Sequence, residues 1–256
     1  MAVTVTLMGT GTSLGVPAIG CTCATCQSDD PKNTRLRTSV LVKNDDTTLV
    51  IDVPQDFRQQ ALHHNIHQLH AVLLTHHHAD HIMGLDDLRV YNNLMGRMLD
   101  IHLSPMSAQW LQRVFPYIFS PDPEYQSFLP QLRLVEIDGP FRLGTLDIQP
   151  VPVFHNTLPV LGFRLGGFAF LTDCNRVPDE SRKLLQGLDV LVLDALRHRP
   201  HPAHFTLDEA VAEARRIGAR RTYFTHIACD LEHHSTNATL PENMELAYDG
   251  LTLTFE

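Results

Sequence analysis

The chain has 256 residues, of which 43% are hydrophobic, and its formal net charge is −9 at pH 7. This length is sufficient for one sizeable hydrophobic core, and we expect a single domain over residues 1–256. The acidic balance argues against a large nucleic-acid-binding surface, because phosphate backbones are bound by patches of Lys and Arg. The start of the chain does not resemble a signal peptide, and no apolar run approaches the roughly 20 residues that span a bilayer. We therefore expect a cytoplasmic protein without membrane contact.

Five segments of the first half have the apolar, β-branched composition that is typical of strands. A helix is predicted from near Gln55 to His64, and further helices are predicted after Asp86 and after Ser107. Residues 115–129 are rich in proline and aromatic side chains and form either a lid or a packed loop. The predicted strands cover residues 3–7, 39–42, 48–53, 71–74 and 101–103.

Strand and helix patterns alternate again in the second half. Gly166 and Gly167 predict a hairpin turn, and Asp249 with Gly250 predicts a second hairpin that closes the chain. Helices are predicted over residues 178–185 and 206–217. Two β-rich halves, each with helices, predict an α/β sandwich in which helices cover two packed sheets. In the helix over 206–217, Thr206 and Glu209 form a capping box; strands are predicted over residues 132–137, 142–153, 162–165, 168–171, 190–193 and 222–225.

The segment Thr-His-His-His-Ala-Asp-His at residues 75–81 directly follows the strand predicted over residues 71–74. His76 and His78 alternate along the chain and therefore point to the same side. Asp80 and His81 come just beyond them, where the loop enters a helix. Neutral imidazoles and a carboxylate are suitable ligands for Zn²⁺, Mn²⁺ or Fe. The alternative is a solvated turn in a chain with 16 histidines, but the preceding strand favours a metal site.

Three further residues of ligand type each follow a predicted strand: His155, Asp173 and His226. Their positions predict that they lie on one edge of the sandwich. Each residue taken singly has a simpler explanation, because an Asp after a strand often caps a turn and a single His is often only packed. Together with the segment at residues 75–81, they favour one metal centre.

The pattern His-x-His-x-Asp-His at residues 76–81 resembles the signature of the metallo-β-lactamase superfamily. The opening segment at residues 3–17 is similar to the first strand and glycine turn of the branch that holds ribonuclease Z-like and phosphonate-operon phosphodiesterase-like (PhnP-like) enzymes. The resemblance implies an αβ/βα sandwich of two packed mixed β-sheets with helices on both outer faces. It also implies two catalytic divalent ions, Mn or Zn, which would activate a water for phosphoester hydrolysis. The implied ligands are His76, His78 and His155 for one ion, Asp80, His81 and His226 for the other, and Asp173 as the bridge.

Cys21, Cys23 and Cys26 place three thiols within six residues. Such spacing can direct three sulfurs at one tetrahedral ion, whereas a disulfide between cysteines so close in sequence is strained. The resemblance to the PhnP-like enzymes implies a fourth ligand three residues after His226, where Cys229 lies. We therefore predict one structural zinc bound by four cysteines. His233 and His234 are the alternatives for the fourth ligand, and Cys174 is predicted to be a packed residue.

Hydrolysis produces an alkoxide leaving group that needs a proton. By resemblance to the PhnP-like branch, His204 is the candidate general acid, with His198 and His201 as its rivals. Asp80 is the second catalytic candidate, because it could orient the attacking water as well as bind a metal. Asp52 resembles an aspartate of the superfamily that orients a metal-binding histidine.

These features predict a metal-dependent phosphodiesterase that acts on small phosphodiesters, such as a ribosyl 1,2-cyclic phosphate or a 2′,3′-cyclic nucleotide. A ribonuclease Z-like tRNA-processing endonuclease is an alternative, but the sequence has no long arm rich in Gly and Pro. Hydrolysis of thioesters or lactams, and a reaction of cofactor biosynthesis, are further alternatives on the same fold. A structural protein that has lost activity is disfavoured by the complete ligand set. The resemblance also implies a homodimer.

Overall fold

The computed structural model describes residues 2–120 and 128–255 of the chain. These residues form two β-sheets of seven strands each. The strands, in chain order, are β1 (Val3–Gly9), β2 (Ser39–Lys43), β3 (Thr48–Ile51), β4 (Ala71–Leu73), β5 (Leu99–Leu103), β6 (Leu132–Glu136), β7 (Phe141–Leu143), β8 (Leu146–His155), β9 (Leu158–Leu165), β10 (Phe168–Leu171), β11 (Val190–Asp194), β12 (Arg221–Thr225), β13 (Met244–Leu246) and β14 (Thr252–Phe255).

The two sheets have the same pattern of pairing. The strand order is β14-β1-β2-β3-β4-β5-β6 in the first sheet and β13-β12-β11-β10-β9-β8-β7 in the second. In the first sheet, the pairs from β14 to β3 are antiparallel and those from β3 to β6 are parallel. In the second sheet, the pairs from β13 to β10 are parallel and those from β10 to β7 are antiparallel. Both sheets are therefore mixed, as predicted.

The helices lie around this pair of sheets, and their lengths range from one turn to three. Helix α7 begins at the capping box that Thr206 and Glu209 form, which confirms that prediction. The helices are α1 (Phe57–His63), α2 (Ala79–Ile82), α3 (Arg89–Met95), α4 (Pro105–Val114), α5 (Pro116–Phe119), α6 (Asp179–Leu184), α7 (Leu207–Ile217) and α8 (His233–Asn237).

Alternate residues of each sheet face different layers, as the period of two in a strand requires. In the first sheet, Val50 packs in a cluster with Phe57 of α1, while Leu49 packs in the cluster between the sheets with Phe163. In the second sheet, Val192 faces the first sheet, whereas its neighbours Leu191 and Leu193 pack against α7. The order of layers is therefore helix, sheet, sheet, helix, as predicted.

Two strand predictions were wrong. The strand predicted over residues 142–153 is two strands, β7 and β8, which are joined at Gly144, where φ is 57°. The hairpin predicted at Asp249 and Gly250 does not exist, because β13 pairs with β12 and β14 pairs with β1. The chain there crosses from one sheet to the other. The hairpin at Gly166 and Gly167, between β9 and β10, is confirmed.

The suggested lid at residues 115–129 falls in part on residues 121–127, which lie outside the described residues. Among the described residues, no helix combines the length and the apolar character that crossing a membrane would require.

Candidate functional site

The candidate metal ligands lie at the ends of four strands. His76 comes shortly after β4, His155 is the last residue of β8, Asp173 lies just after β10 and His226 directly follows β12. Asp173 and His226 have φ values of 50° and 60°, and Asp52, at the end of β3, has 63°. Residues other than glycine seldom adopt this left-handed conformation, and where they do they cluster at functional sites. The strand ends therefore deliver these side chains to one edge of the sandwich through strained turns.

The structure brings all seven candidate ligands together in two groups. Each residue offers one ligand atom, and within a group these atoms lie within 4.8 Å of one another. Most of the side chains are buried, which removes competing water from the ligand atoms. The first group comprises His76, His78, His155 and Asp173, and the second comprises Asp80, His81, Asp173 and His226.

Asp173 belongs to both groups, and its two carboxylate oxygens face different histidines. The Oδ2 atom lies 3.8 Å from Nε2 of His76 in the first group. The Oδ1 atom lies 3.3 Å from Nε2 of His81 and 3.0 Å from Nδ1 of His226 in the second. Burial alone would raise the pKa of this carboxyl, but His226 and His81 hold it well below its usual range. Asp173 is thus an anion placed between the two groups.

The chemistry of these side chains fits divalent cations. The Nε2 atoms of His76 and His81 are buried, and although carboxylate oxygens lie 3.3 to 3.8 Å away, neither atom has a partner in hydrogen-bonding geometry among the described residues. A buried polar atom without a partner is costly, and a metal ion would satisfy both atoms. Burial lowers the pKa of His76, and it lowers the pKa of His226 to about 4. The imidazoles of His76 and His226 are therefore neutral at pH 7, which is the form that binds metals. Burial alone would lower the pKa of His81, but the carboxylates of Asp173, Asp80 and Asp52 raise it well above its usual value.

Side chains around the two groups hold the histidines in place. Asp52 is fully buried, and its Oδ1 accepts a hydrogen bond of 2.8 Å from the backbone N–H of Thr75. Its Oδ2 accepts from the Thr75 hydroxyl at 2.8 Å and from Nδ1 of His81 at 2.7 Å. His155 is held in the same way, because its Nδ1 donates to the Ala203 carbonyl at 2.8 Å. In both histidines the bound Nδ1 leaves Nε2 free to face the ligand group. The predicted contact between Asp52 and a histidine of the site is therefore present.

His204 is buried against both groups. Its ring lies 4.5 Å from the His155 ring and is stacked on the His226 ring at 4.8 Å, as measured between centroids. Its Nδ1 atom lies 2.7 Å from Oδ2 of Asp194, the last residue of β11. Burial opposes a charged imidazole, but the Asp194 carboxylate outweighs it and raises the pKa of His204 to about 9. Asp194 therefore favours the protonated form of His204.

Asp194 was not identified from the sequence. Its carboxylate also accepts a hydrogen bond of 2.7 Å from the backbone N–H of Cys174. A signal was present, since Asp194 ends a buried strand, as do Asp52 and Asp173. A carboxylate at that position lies at the same edge of the sheet as the candidate ligands.

The two rivals of His204 lie farther from the ligand groups. His198 is exposed to solvent and lines a depression beside α7 with Leu207 and Arg215. The His201 ring lies 5.0 Å from the His204 ring, and its Nδ1 accepts a hydrogen bond from the Ala203 N–H. His201 is thus an outer neighbour of His204.

The four candidate zinc ligands also come together. The sulfurs of Cys21, Cys23, Cys26 and Cys229 lie within 4.8 Å of one another, and all four are free thiols. The backbone N–H of Cys26 lowers the pKa of Cys23 to about 7. Burial raises the pKa values of Cys26 and Cys229. A divalent cation would stabilise four thiolates this close together, so the group fits a zinc ion.

The alternative zinc ligands and the fifth cysteine have other contacts. Nδ1 of His233 lies 3.4 Å from the Arg35 guanidinium, and Nε2 of His234 lies 2.8 Å from Asp30. Cys174 is fully buried in the apolar cluster beneath α7, and burial raises its pKa well above the usual value for a thiol. Cys174 is therefore a packed, unreactive residue, as its position in the sequence predicted.

Comparison with known proteins identifies relatives for nearly the whole chain. Residues 47–227 match the family model of the beta-lactamase superfamily domain. The crystal structure of a new diphosphatase from the PhnP family is 44% identical with a TM-score of 0.93, and the match covers 100% of this chain and 98% of that one. Coenzyme PQQ synthesis protein B from a Methylobacterium species is 27% identical over 97% of this chain and 98% of that protein.

A third relative is a longer protein. An octanoyltransferase from Porphyromonas gingivalis is 37% identical over 96% of this chain, but the match covers 50% of that protein. The chain thus spans about half the length of this relative.

Proposed function

The chain belongs to the β-lactamase superfamily, in its PhnP-like branch, and we propose that it hydrolyses small phosphodiesters or diphosphates with two divalent metal ions. Membership of this superfamily and the similarity to a PhnP-family diphosphatase support a metal-dependent hydrolase. The observation that carries the finer proposal is the position of Asp173, whose two oxygens face two separate groups of ligand atoms. Paired metal sites of this kind serve phosphoester hydrolysis in many enzymes.

Two observations support phosphodiesters and diphosphates as the substrate class. The residues at the site suit a phosphodiester, because His204 can protonate an alkoxide leaving group. The neighbour that is 44% identical is a diphosphatase, which favours the phosphoanhydride bond of a diphosphate as a second substrate type. Both bonds break when an oxygen nucleophile attacks phosphorus and an oxygen leaving group departs. The same residues can therefore act on either bond.

Seven residues would hold the two ions, which we expect to be Mn²⁺ or Zn²⁺. When bound, such a pair lowers the pKa of a water molecule and offsets the negative charge of the phosphoryl oxygens. The residues are His76, His78 and His155 for one ion, Asp80, His81 and His226 for the other, and Asp173 for both.

Asp80 would also orient the attacking water. Burial opposes ionisation of its carboxyl, but the neighbouring His81 holds the pKa of Asp80 below its usual range. Asp80 is therefore a carboxylate at neutral pH, and a carboxylate only accepts hydrogen bonds. By accepting one from the water, Asp80 would direct the oxygen lone pair toward phosphorus.

His204 would serve as the general acid. The Asp194 carboxylate accepts the hydrogen bond from Nδ1, so that Nε2 is the nitrogen left for the substrate. A proton on Nε2 would pass to the departing oxygen as its bond to phosphorus breaks. Asp194 would then position the ring and stabilise its protonated form before transfer.

The four cysteines would bind a structural zinc ion. Cys21, Cys23 and Cys26 lie in the N-terminal loop, and Cys229 lies three residues after His226. Two backbone hydrogen bonds join the same segments, from Ile227 N–H to the Thr10 carbonyl at 2.9 Å and from Thr12 N–H to the Ile227 carbonyl at 3.3 Å. A zinc ion there would fix the segment that carries His226. All four ligands come from the protein, which leaves no open position for chemistry.

The proposal is tested by hydrolysis assays on protein reconstituted with Mn²⁺ or Zn²⁺. The substrates are bis-p-nitrophenyl phosphate, a 2′,3′-cyclic nucleotide and a dinucleoside diphosphate. We expect metal-dependent turnover of at least one of them, loss of turnover in His76→Ala, and full turnover in His198→Ala, in which the changed histidine is exposed and outside both groups. Failure of all three substrates with both metals present would contradict the proposal, and so would full activity of His76→Ala.

A further inference from the structure

The hydroxyl of Thr38 contacts one of the candidate metal ligands. Thr38 directly precedes β2 and is buried. Its Oγ1 atom lies 2.9 Å from the carbonyl oxygen of Gly11 and 3.2 Å from Nδ1 of His226. A threonine hydroxyl has one proton and a carbonyl oxygen can only accept, so Thr38 donates to Gly11. Toward His226, the same hydroxyl oxygen can therefore only accept a hydrogen bond.

This contact determines which ring nitrogen of His226 carries the proton. A neutral imidazole has one N–H group and one nitrogen with a free lone pair. Two oxygens lie near Nδ1 of His226, the Thr38 hydroxyl at 3.2 Å and Oδ1 of Asp173 at 3.0 Å, and both act as acceptors there. Nδ1 is therefore the protonated nitrogen, and Nε2 is the nitrogen that is free to bind a metal ion.

A second threonine holds His76 of the first group in the same way. The Thr75 hydroxyl donates to Oδ2 of Asp52 at 2.8 Å, and its oxygen lies 3.0 Å from Nδ1 of His76. In each group, one histidine is thus held by a threonine hydroxyl that has an acceptor of its own. This repetition indicates that the contact between Thr38 and His226 belongs to the construction of the candidate metal centre.

The next residue, Ser39, supports the other side of the second group. Ser39 is fully buried and donates a hydrogen bond of 2.8 Å to the backbone carbonyl of Asp52. Asp52 in turn holds His81, and both Asp52 and His226 have the positive φ of a strained turn. The start of β2 therefore supports two strained turns that carry or position ligands of the second group. Loss of the Thr38 hydroxyl should affect that group more than the first.

We propose that Thr38 is a positioning residue of the metal centre, which fixes His226 with its proton on Nδ1 and directs Nε2 to the ion of the second group. The inference rests on the proposed function, because it requires an ion at that group. With both ions bound, the oxygens of Asp173 serve as ligands, and the Thr38 hydroxyl is the acceptor that remains for Nδ1. Through the Gly11 carbonyl, Thr38 also joins His226 to the N-terminal loop that carries three of the cysteines.

NMR spectroscopy reads the position of the proton directly. In protein with ¹⁵N-labelled histidines, the chemical shifts of the two ring nitrogens show which one carries the proton. The signals of His226 are identified by their loss in His226→Asn, because asparagine tolerates the positive φ of this position. We expect the proton on Nδ1 in both the metal-free and the zinc-loaded protein. A proton on Nε2 of metal-free His226, or zinc bound to Nδ1, would overturn the proposal.

Metal affinity supplies the second part of the test. Thr38→Val keeps the shape of the side chain but removes the hydroxyl, whereas Thr38→Ser keeps the hydroxyl. In a zinc titration, we expect Thr38→Val to weaken one of the two ions at the ligand groups by roughly 10- to 100-fold, the usual range for loss of a ligand's hydrogen-bond partner. The other ion and the cysteine-bound ion should keep their affinities. Thr38→Ser should bind all three ions nearly as tightly as wild type.

Thr222→Val is the matched control for loss of a buried threonine hydroxyl. Thr222 lies on β12, the strand that leads to His226, and its hydroxyl has no hydrogen-bond partner among the described residues. We expect all three affinities to stay unchanged in this variant. Wild-type affinities in Thr38→Val, or an equal loss in Thr38→Val and Thr38→Ser, would refute the role of the Thr38 hydroxyl.

The outcomes separate the role of Thr38 from the proposed function. If wild type binds both ions and hydrolyses phosphate substrates while Thr38→Val keeps full affinity, the role of Thr38 is wrong and the proposed function stands. If wild type binds no ion at the ligand groups, the proposed function is wrong. The NMR measurement on the metal-free protein then still decides which nitrogen of His226 carries the proton.

Discussion

The Nδ1 atom of His204 lies 2.7 Å from the Oδ2 atom of Asp194, and both residues are buried beside the two ligand groups. The pair places one imidazole nitrogen against a carboxylate and leaves the other for the substrate. The His204 ring also lies against the rings of His155 and His226, one candidate ligand from each group. This arrangement suits a general acid next to a metal centre, because the ring is fixed and its proton is directed.

Replacement of His204 should affect substrates according to their leaving groups. An alkoxide needs a proton to depart, whereas p-nitrophenolate is a stable anion. We expect His204→Ala to lower kcat by roughly 10²- to 10⁴-fold with an alkyl phosphodiester, the usual range for a general acid, and far less with a p-nitrophenyl ester. The measurement is steady-state kinetics on the two esters, with metal content as a control. An equal loss of kcat with both esters would contradict the role of His204 as the general acid.

Asp194→Asn tests the carboxylate that positions His204. The amide keeps the shape of the side chain but cannot stabilise a protonated imidazole. We expect the same dependence on the leaving group as in His204→Ala, with a smaller loss, because the histidine remains. Loss of metal instead of loss of alkyl-ester turnover would show that Asp194 supports the ligand groups.

The histidine-rich segment at residues 75–81 and its strand could be predicted because the signal is local: an apolar run is followed at once by ligand-type side chains. His155, Asp173 and His226 carry a weaker version of the same signal, since each lies just past a strand. Asp194 has that signal too, but its partner His204 lies ten residues away, and a contact of that kind is not visible in a linear pattern. Only the three-dimensional arrangement distinguishes Asp194 from an Asp that merely caps a turn after a strand.

The wrong prediction of a hairpin at Asp249 and Gly250 also arose because contacts between distant parts of the chain are not visible in a linear pattern. Composition predicts that residues around Asp249 and Gly250 connect two strands, but it does not say to which sheet each strand belongs. Asp249 instead binds the N-terminal loop, where its Oδ1 accepts hydrogen bonds of 2.8 and 2.7 Å from the backbone and hydroxyl of Thr10. Those partners are 239 residues apart in the chain. Strand pairing over such a separation is decided by packing of the whole sandwich.

Asp52→Asn should weaken metal binding without unfolding the protein. Asparagine tolerates the positive φ of this position and keeps one oxygen for the Thr75 contacts. It cannot supply two carboxylate oxygens to Thr75 and His81 together. We expect metal affinity to fall by roughly 10- to 100-fold, as is typical when the partner of a ligand histidine is lost. The check is a metal titration, and unchanged affinity would contradict the orienting role of Asp52.

Cys23→Ala should remove the proposed structural zinc and lower thermal stability. We expect a fall in Tm of roughly 5–10 °C, since each kcal/mol shifts the Tm of a domain this size by about 2–4 °C. Zinc content should decrease by one ion per chain. Cys174→Ala is the control for loss of a thiol, because Cys174 lies outside the cysteine group and should leave zinc content unchanged. An unchanged Tm and zinc content in Cys23→Ala would contradict the structural zinc.

Glu232 should make stability depend on pH in the acid range. Its carboxylate accepts hydrogen bonds from the Asn33 side chain and from the N–H and hydroxyl of Ser235 at the start of α8. These bonds lower the pKa of Glu232 to about 2 in the folded state, below its value in an unfolded chain. The stabilisation is therefore complete above the unfolded pKa and is lost as pH falls toward the folded pKa. The Tm difference between wild type and Glu232→Gln should be largest above about pH 5 and should shrink below about pH 4. A Tm difference that does not change with pH would show that the Glu232 carboxylate is not the source of this pH dependence.

We propose that Asp173 joins two metal sites, and the metal content of Asp173→Asn is the test of this role. Asparagine tolerates the positive φ at this position but removes the bridging negative charge. Native mass spectrometry and elemental analysis, after reconstitution and dialysis, count the ions bound per chain. We expect three ions in the wild type, two at the ligand groups and one at the cysteines. In Asp173→Asn, we expect loss of at least one ion and of metal-dependent phosphodiester or diphosphate hydrolysis, with the cysteine-bound zinc retained. A wild type with no more than one ion besides that zinc, or an Asp173→Asn variant that keeps all three ions and full turnover, would contradict the bridging role of Asp173.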